Sequence, residues 1–120
     1  MYFKEGVDPN EFNDLSEHTQ QLLKAADAYC IFHFDKYVTV TSMARDGDPG
    51  SLHCVRPCRA ADIRAHDFTK EQIRRLTAFL NMCFPYGRSG KPSAWYHDSQ
   101  GHIWGRQPLP DAHIHLQSPD

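Results

Sequence analysis

Apolar and polar positions recur along the chain with a helical period in two segments. In residues 15–32, Leu15, Leu22, Ala26, Tyr29 and Cys30 recur at helical spacing, and Ser16 suits the N-cap position. In residues 69–83, Thr69 and Gln72 form a capping-box pattern ahead of the apolar stripe Ile73, Leu76, Leu80 and Cys83. The pattern therefore predicts two main helices, with Cys30 and Cys83 on their apolar faces as small core residues.

Shorter runs predict strands. Residues 36–42 contain the β-branched run Tyr-Val-Thr-Val-Thr, residues 60–64 and 113–117 are short strand-like segments, and residues 94–97 and 102–105 flank Asp98-Ser-Gln-Gly101 as a predicted hairpin. Residues 43–58 are rich in Gly, Pro, Asp and Arg and predict a long loop, which in a compact domain is usually functional. Helices and strands are segregated, so we predict an α+β fold in which two main helices pack against a small antiparallel sheet.

Composition limits the classes of function. The 120 residues predict one domain, 1–120, with room for a core but not for a separate binding module. The net charge of −2, without a dense basic stretch, argues against a nucleic-acid partner. No apolar run approaches the roughly 18 residues that a membrane span needs. The first fifteen residues lack an apolar core, so we expect no signal peptide. We also expect a monomer.

The residues with the clearest chemistry are histidines and nearby carboxylates. His53 lies in Ser51-Leu-His53, Asp62 follows nine positions later, and Asp111-Ala-His-Ile-His115 lies near the C-terminus. Two imidazoles and one carboxylate are a usual catalytic zinc set with a fourth position for water. Alternation along a strand would place His113 and His115 on one sheet face. From spacing alone, a zinc site and ordinary surface or hydrogen-bonded histidines remain equally good interpretations.

Three segments, taken in order, resemble the hedgehog/DD-peptidase family: Ser51-Leu-His53, Arg59-Ala-Ala-Asp62-Ile and His113-Ile-His115. That family includes zinc D-alanyl-D-alanine carboxypeptidases and phage cell-wall endopeptidases of the M15 type. Val40-Thr-Ser42 with Arg45 is similar to the family's Thr-Ser-x-x-Arg segment, and the resemblance runs from about residue 38 to residue 117. It implies Zn²⁺-dependent hydrolysis of peptide bonds in bacterial peptidoglycan, with His53, Asp62 and His115 as the metal ligands.

The resemblance also implies roles for other residues. Arg45 would polarise the scissile carbonyl and hold its developing oxyanion, and His113 would lie beside the zinc-bound water. We assign Ser51, Trp95 and His97 to the substrate cleft. For Ser51 the alternative is bracing of the loop, for Trp95 a place in the core, and for His97 a solvent-facing position.

The chain departs from the family pattern in two ways. The segment Cys54-Val-Arg-Pro-Cys58 lengthens the spacing between His53 and Asp62 and removes the usual glycine. The family's general base is a glutamate shortly before the last histidine, and no glutamate follows Glu71. Asp111, four residues before His115, is the nearest candidate base, and Asp98 is the second. If neither acts as a base, the alternative function is a zinc-binding structural or interaction module without efficient catalysis.

Two further expectations follow. Cys54 and Cys58 next to His53 are compatible with a separate Cys/Cys/His metal site, a local disulfide or a redox-responsive protein, although a chain without a signal peptide favours free thiols. A lytic enzyme without a signal peptide would be cytoplasmic or associated with a phage particle, as an endolysin is, and would act on the cell wall after release.

Overall fold

The computed structural model describes residues 1–43, 50–87 and 89–120. In these ranges the elements are β1 (Tyr2–Phe3), a 3₁₀-helix (Pro9–Asp14), α1 (Glu17–Phe34), β2 (Thr39–Ser42), β3 (Ala60–Arg64), α2 (Lys70–Cys83), β4 (Ala94–His97) and β5 (His113–Gln117). The strands form one sheet in the order β1-β2-β3-β5-β4, in which β1 and β2 are parallel and the other neighbours antiparallel. The predicted α+β fold, with two main helices and a small, mostly antiparallel sheet, is confirmed.

The N-terminal caps of both helices were recognisable in the sequence. The Ser16 hydroxyl accepts a hydrogen bond from the Thr19 amide at 3.2 Å, and the capping box between Thr69 and Gln72 has both of its hydrogen bonds. Each such cap contributes about 1 kcal/mol to helix stability. Helix α1 continues two residues beyond its predicted end and stops at Asp35, which adopts the left-handed conformation. In the described part of the chain, neither helix is long and apolar enough to cross a membrane.

The core lies between the helices and one face of the sheet. Its fully buried side chains include Leu22, Leu23 and Ala26 from α1, Ile73, Leu76 and Leu80 from α2, and Ala61, Ile63, Ile114 and Leu116 from β3 and β5. Cys30 is buried as predicted, and burial raises the pKa of its thiol to about 12. The prediction for Cys83 is wrong. It is the last residue of α2 and is exposed, because the buried stripe of that helix ends at Leu80, one turn earlier.

The opposite face of the sheet carries the polar side chains. Asp62 of β3, His115 of β5 and Trp95 of β4 are direct cross-strand partners, so their side chains project from the same face. Arg64, His113 and His97 form the next row of that face, two residues after Asp62 and Trp95 and two residues before His115. Helices α1 and α2 contact β3, β4 and β5 from the core side, which leaves this polar face open.

The predicted hairpin of residues 94–97 and 102–105 is wrong. Strand β4 pairs with β5 instead, and residues 102–105 form a turn rather than a strand. The segment folds back because the buried Asp98 carboxylate binds the Arg106 guanidinium, with Gly101 and Gly105 at positive φ. Trp104 is exposed and lies against the Arg74 guanidinium, 3.9 Å from the ring centroid.

Two further differences concern the first strands. Strand β2 begins at Thr39 rather than at Lys36, because the Lys36 amide still donates to the Cys30 carbonyl of α1, at 3.3 Å. The Lys36 ammonium binds the Asp67 carbonyl and the Gln72 side chain. The two-residue strand β1 was not predicted. It is held by backbone hydrogen bonds from Tyr2 to Val38 and from Lys4 to Val40.

Candidate metal centre

Two of the three predicted ligands are brought together by the register of β3 and β5. Asp62 and His115 are directly opposite each other in this antiparallel pair, and His115 Nδ1 lies 2.9 Å from Asp62 Oδ1. Trp95, the partner of His115 on its other side, packs on the imidazole with ring centroids 4.4 Å apart. The strand pairing and the indole therefore restrict how the His115 ring can turn.

His53 reaches the same place from the loop before β3. Its Nδ1 donates a hydrogen bond to the Met43 carbonyl at 2.8 Å, and its Nε2 lies 3.4 Å from Asp62 Oδ2. A carbonyl can only accept, so Nδ1 carries the proton and Nε2 is the atom available to a metal. A backbone carbonyl behind the imidazole is a common support for a metal-binding histidine. This partner could not be predicted, since backbone carbonyls have no residue pattern.

The loop that carries His53 is fixed at its C-terminal end, at Cys58. The Cys58 amide donates to the Asp14 carbonyl at 2.8 Å, and the Ser16 amide donates to the Cys58 carbonyl at 2.7 Å. The Ser51 hydroxyl accepts a hydrogen bond from the His53 amide at 3.3 Å. This contact favours the bracing role for Ser51 over the substrate-binding role.

Cys58 is part of this support. It is buried, and its thiol contacts the backbone carbonyls of Leu52, His53 and Ala60 at 3.2–3.5 Å. Cys54 and Cys58 are not joined in a disulfide bond. In the described ranges, the only group of three or more potential ligands is His53, Asp62 and His115, so the two cysteines do not form a separate metal site there.

The His53–Asp62–His115 group can hold a metal ion. Each residue offers one ligand atom, and these atoms lie within 4.8 Å of one another. His53 and Asp62 are buried, with 3% and 8% of their surface exposed, while His115 is half-buried. Burial alone would raise the pKa of the Asp62 carboxyl, but hydrogen bonds and charge interactions with His115 and His53 outweigh it and hold that pKa well below its usual range. Asp62 is therefore an anion ready to bind a cation.

The remaining candidates on this face surround the group. His113 and His97 are cross-strand partners in the next row, with ring centroids 5.1 Å apart, and His97 is exposed. Trp95 is half-buried and lines an open groove with Lys91, Pro92 and Gln117. Both Trp95 and His97 thus lie on the open face, and neither belongs to the core.

The two candidate bases have different surroundings. Asp111 is exposed in the turn before β5, accepts a hydrogen bond from the Ser99 amide at 2.9 Å, and lines a cleft together with Asp62 and His113. Because β5 begins only at His113, strand alternation does not place Asp111 on the metal face; the turn brings it there.

Asp98 is buried and accepts from Tyr96, Arg106 and, at 2.7 Å, the Gln100 amide. These hydrogen bonds favour a structural role for Asp98 over the role of general base.

Two depressions border the metal-binding group. A groove of about 610 Å³ runs from His115 past Gln117 and is also lined by Gly50, Leu52, Arg59, Tyr86, Ser89, Lys91 and Pro119. A cleft of about 340 Å³ adjoins Asp62 and His113 and is also lined by Lys4, Thr41, Arg64, His66, Pro110, Asp111 and Ala112. The group therefore lies between two concave surfaces that could accept a substrate. Sequence reasoning missed Arg59, Lys91 and Gln117.

Arg45 lies outside the described residues, so its predicted role at the oxyanion stays a prediction. Comparisons with protein families, with curated proteins and with solved structures find no match to this chain. What the structure itself establishes is an α+β domain whose open sheet face carries a His-Asp-His group able to hold a metal ion.

Proposed function

We propose that this protein is a zinc-dependent peptidase that hydrolyses peptide bonds of bacterial peptidoglycan. The observation that carries the proposal is the convergence of His53, Asp62 and His115 on an open sheet face between two clefts. The substrate class comes from the resemblance to the hedgehog/DD-peptidase family. The activity of a phage-encoded endolysin, released to the cell wall by another route, is compatible with it.

Zinc fits this donor set better than a hard cation does. Two imidazole nitrogens and one carboxylate are a catalytic zinc set, whereas calcium and magnesium prefer oxygen ligands alone. His53 would bind through Nε2, because its Nδ1 is hydrogen-bonded to the Met43 carbonyl. Asp62 brings the negative charge that offsets the cation. When bound, zinc would polarise a carbonyl and lower the pKa of a coordinated water to about 7.

Residues of the chain would bind the substrate and transfer the proton. Asp111 lines the same cleft as Asp62 and His113, which supports it as the carboxylate that would take a proton from the attacking water and pass it to the leaving amine. His113, on the same sheet face as His115, would lie beside the reacting carbonyl. The two clefts would hold the peptide on either side of the metal.

The proposal is tested by turnover on purified peptidoglycan. Zinc-loaded protein should release free amino groups, a chelator should stop the release, and His115→Ala should be inactive. His102→Ala is the matched control, because His102 is exposed and lies outside the metal-binding group. If fully zinc-loaded protein releases no amino groups, the peptidase proposal is rejected.

A second candidate is a zinc-binding structural or interaction module of the same fold. It is favoured by one observation: in the described ranges Asp62 is the sole carboxylate of the metal-binding group, and the Asp111 carboxylate is engaged by the Ser99 amide. A module of this kind would bind one zinc ion and gain stability from it without any turnover.

A further inference from the structure

We propose that the groove beside His115 binds an acidic segment of an extended peptide, centred two to three residues from the bond held at the metal, and that this bond lies inside the peptide rather than at its end. This inference rests on the proposed peptidase function and specifies its substrate. It concerns Arg59 and Lys91, which line this groove and do not belong to the metal-binding group.

The described lining of the groove is positively charged. Arg59 and Lys91 both belong to it, and none of the described lining residues is a carboxylate. The Arg59 guanidinium donates to the Pro119 carbonyl at 2.6 Å, which is an uncharged acceptor. Lys91 is exposed, and neither Arg59 nor Lys91 forms an ion pair with any described residue. Two cations on a concave surface whose described residues include no anion favour a ligand that carries carboxylates.

The strand register gives the distance from the metal. Gln117 lies on the same face as His115, two residues further along β5, and therefore about 7 Å away. Arg59 immediately precedes Ala60, the cross-strand partner of Gln117. An extended peptide advances about 3.3 Å per residue. A carboxylate that meets Arg59 and Lys91 would thus lie two to three residues from the scissile carbonyl.

The surface continues on the other side of the metal-binding group. The cleft beside Asp62 and His113 is equally open to a peptide, but its charges are mixed. Arg64 is paired with Asp67 through two hydrogen bonds of 3.0 and 3.1 Å, and Asp111 adds a carboxylate. A chain that occupies both depressions passes the metal with residues on each side. This arrangement favours cleavage inside a peptide over removal of a single terminal residue.

A polyphosphate ligand fits the same groove less well. Nucleic-acid binding surfaces gather many cations along a backbone, whereas the described lining of this groove has two and the chain as a whole has a net charge of −2. One or two carboxylates on a peptide match the number of cations.

The test uses synthetic peptides with a metal-binding hydroxamate at one end and a single Glu placed one, two, three or four residues away. A matched series carries Gln in place of Glu, and both chain directions are made. With zinc-loaded protein at low salt, Glu peptides of one direction should bind roughly three- to tenfold tighter than Gln peptides, with the maximum at two to three residues. The difference should shrink at about 1 M salt, where charges are screened.

Lys91→Glu should remove the preference for Glu and favour a Lys peptide at the same position. Lys24→Glu is the matched control, because Lys24 is an exposed lysine on α1, on the helix side of the sheet. Equal binding of Glu and Gln peptides at every position, or a preference unchanged in Lys91→Glu, would overturn the groove assignment.

Cleavage is measured separately with peptides blocked at both ends. Internal cuts, identified by product mass, are the expected result, and activity confined to release of one residue from a free C-terminus would overturn the internal-bond inference. If the hydroxamate peptides show the Glu preference but nothing is cut, the peptidase proposal fails and the groove assignment stands. If peptides are cut without any Glu preference, the groove assignment fails and the peptidase proposal stands.

Discussion

Asp62 and His115 face each other across antiparallel strands, with His115 Nδ1 2.9 Å from Asp62 Oδ1. The pairing of β3 with β5 therefore sets the geometry of two of the three candidate ligands. A slip of one residue would turn one of the two side chains to the helix side of the sheet. The opposite side chains on that helix side, from Ile63 and Ile114, are fully buried, so the core itself resists such a slip.

The first prediction concerns zinc content. His115→Ala and His53→Ala should each reduce bound zinc from about one ion per chain to a small fraction, because two remaining ligands rarely hold zinc tightly. Elemental analysis after gel filtration measures the content. His102→Ala should keep full zinc, and full zinc in His115→Ala would remove that residue from the site.

The second prediction concerns the stability gained from zinc. The three ligands come from a loop and two strands, so the unfolded chain does not hold them together. Free zinc at a hundredfold excess over its Kd should raise the free energy of unfolding by about 2.7 kcal/mol. Urea unfolding with zinc and with a chelator measures this difference.

Asp62→Asn provides the comparison for that experiment. The amide is close in size to the carboxylate but brings no negative charge to the cation. The stabilisation by zinc should therefore be largely lost in Asp62→Asn and retained in Asp14→Asn, which changes an exposed carboxylate outside the metal-binding group. Equal stabilisation of both variants would place the ion elsewhere.

Much of the fold was predictable because its signals are local. The capping box of Thr69 and Gln72 and the N-cap Ser16 each depend on contacts within one helical turn. The short strands Ala60–Arg64, Ala94–His97 and His113–Gln117 were placed correctly by their residue types. The pairing of β4 was not predictable in this way, because its partner is not the nearby segment 102–105 but β5, which follows a stretch without strands. The Asp98–Arg106 contact that closes the intervening segment is a tertiary interaction.

The candidate site shows the same difference between local signals, which were predictable, and tertiary contacts, which were not. His53, Asp62 and His115 were found by residue type and order, and the structure brings the three together. The carbonyl of Met43 that orients His53, and the cations Arg59 and Lys91 beside His115, were missed. A carbonyl has no sequence signature, and Lys91 reaches the groove only because the chain before β4 folds alongside β5. Their places depend on the sheet order.

The third prediction concerns stability at acid pH. Burial raises the pKa of the Asp98 carboxyl, but hydrogen bonds from Tyr96, Gln100 and Arg106 and the charge of Arg106 outweigh it and lower that pKa. The unfolded value is about 3.9. Since the folded pKa is the lower one, Asp98 stabilises the fold above about pH 3.9 and this contribution is lost as the pH falls towards the folded pKa. Urea unfolding of the metal-free protein should show stability falling in that range.

Asp98→Asn separates this contribution from others. It removes the titrating anion beside Arg106, so the variant should be less stable at neutral pH and should lose less stability on acidification than the parent. Asp62, whose pKa is also lowered, contributes to the pH dependence that remains. Asp14→Asn, at an exposed position, should follow the parent. A parallel pH profile for the parent and Asp98→Asn would contradict the assignment.

The last prediction concerns the general base. Asp111 is the carboxylate that shares a cleft with Asp62 and His113 without belonging to the metal-binding group, whereas Asp98 is buried under its own hydrogen bonds. In Asp111→Asn the amide oxygen can still accept from the Ser99 amide, so fold and zinc content should remain near those of the parent. The amide cannot take a proton from water, so hydrolysis should fall by roughly 10²- to 10⁴-fold. Turnover on peptidoglycan, zinc content and melting temperature are measured on the same preparations. Parent-like turnover in Asp111→Asn would exclude this residue as the base and make His113, on the same sheet face, the next residue to substitute.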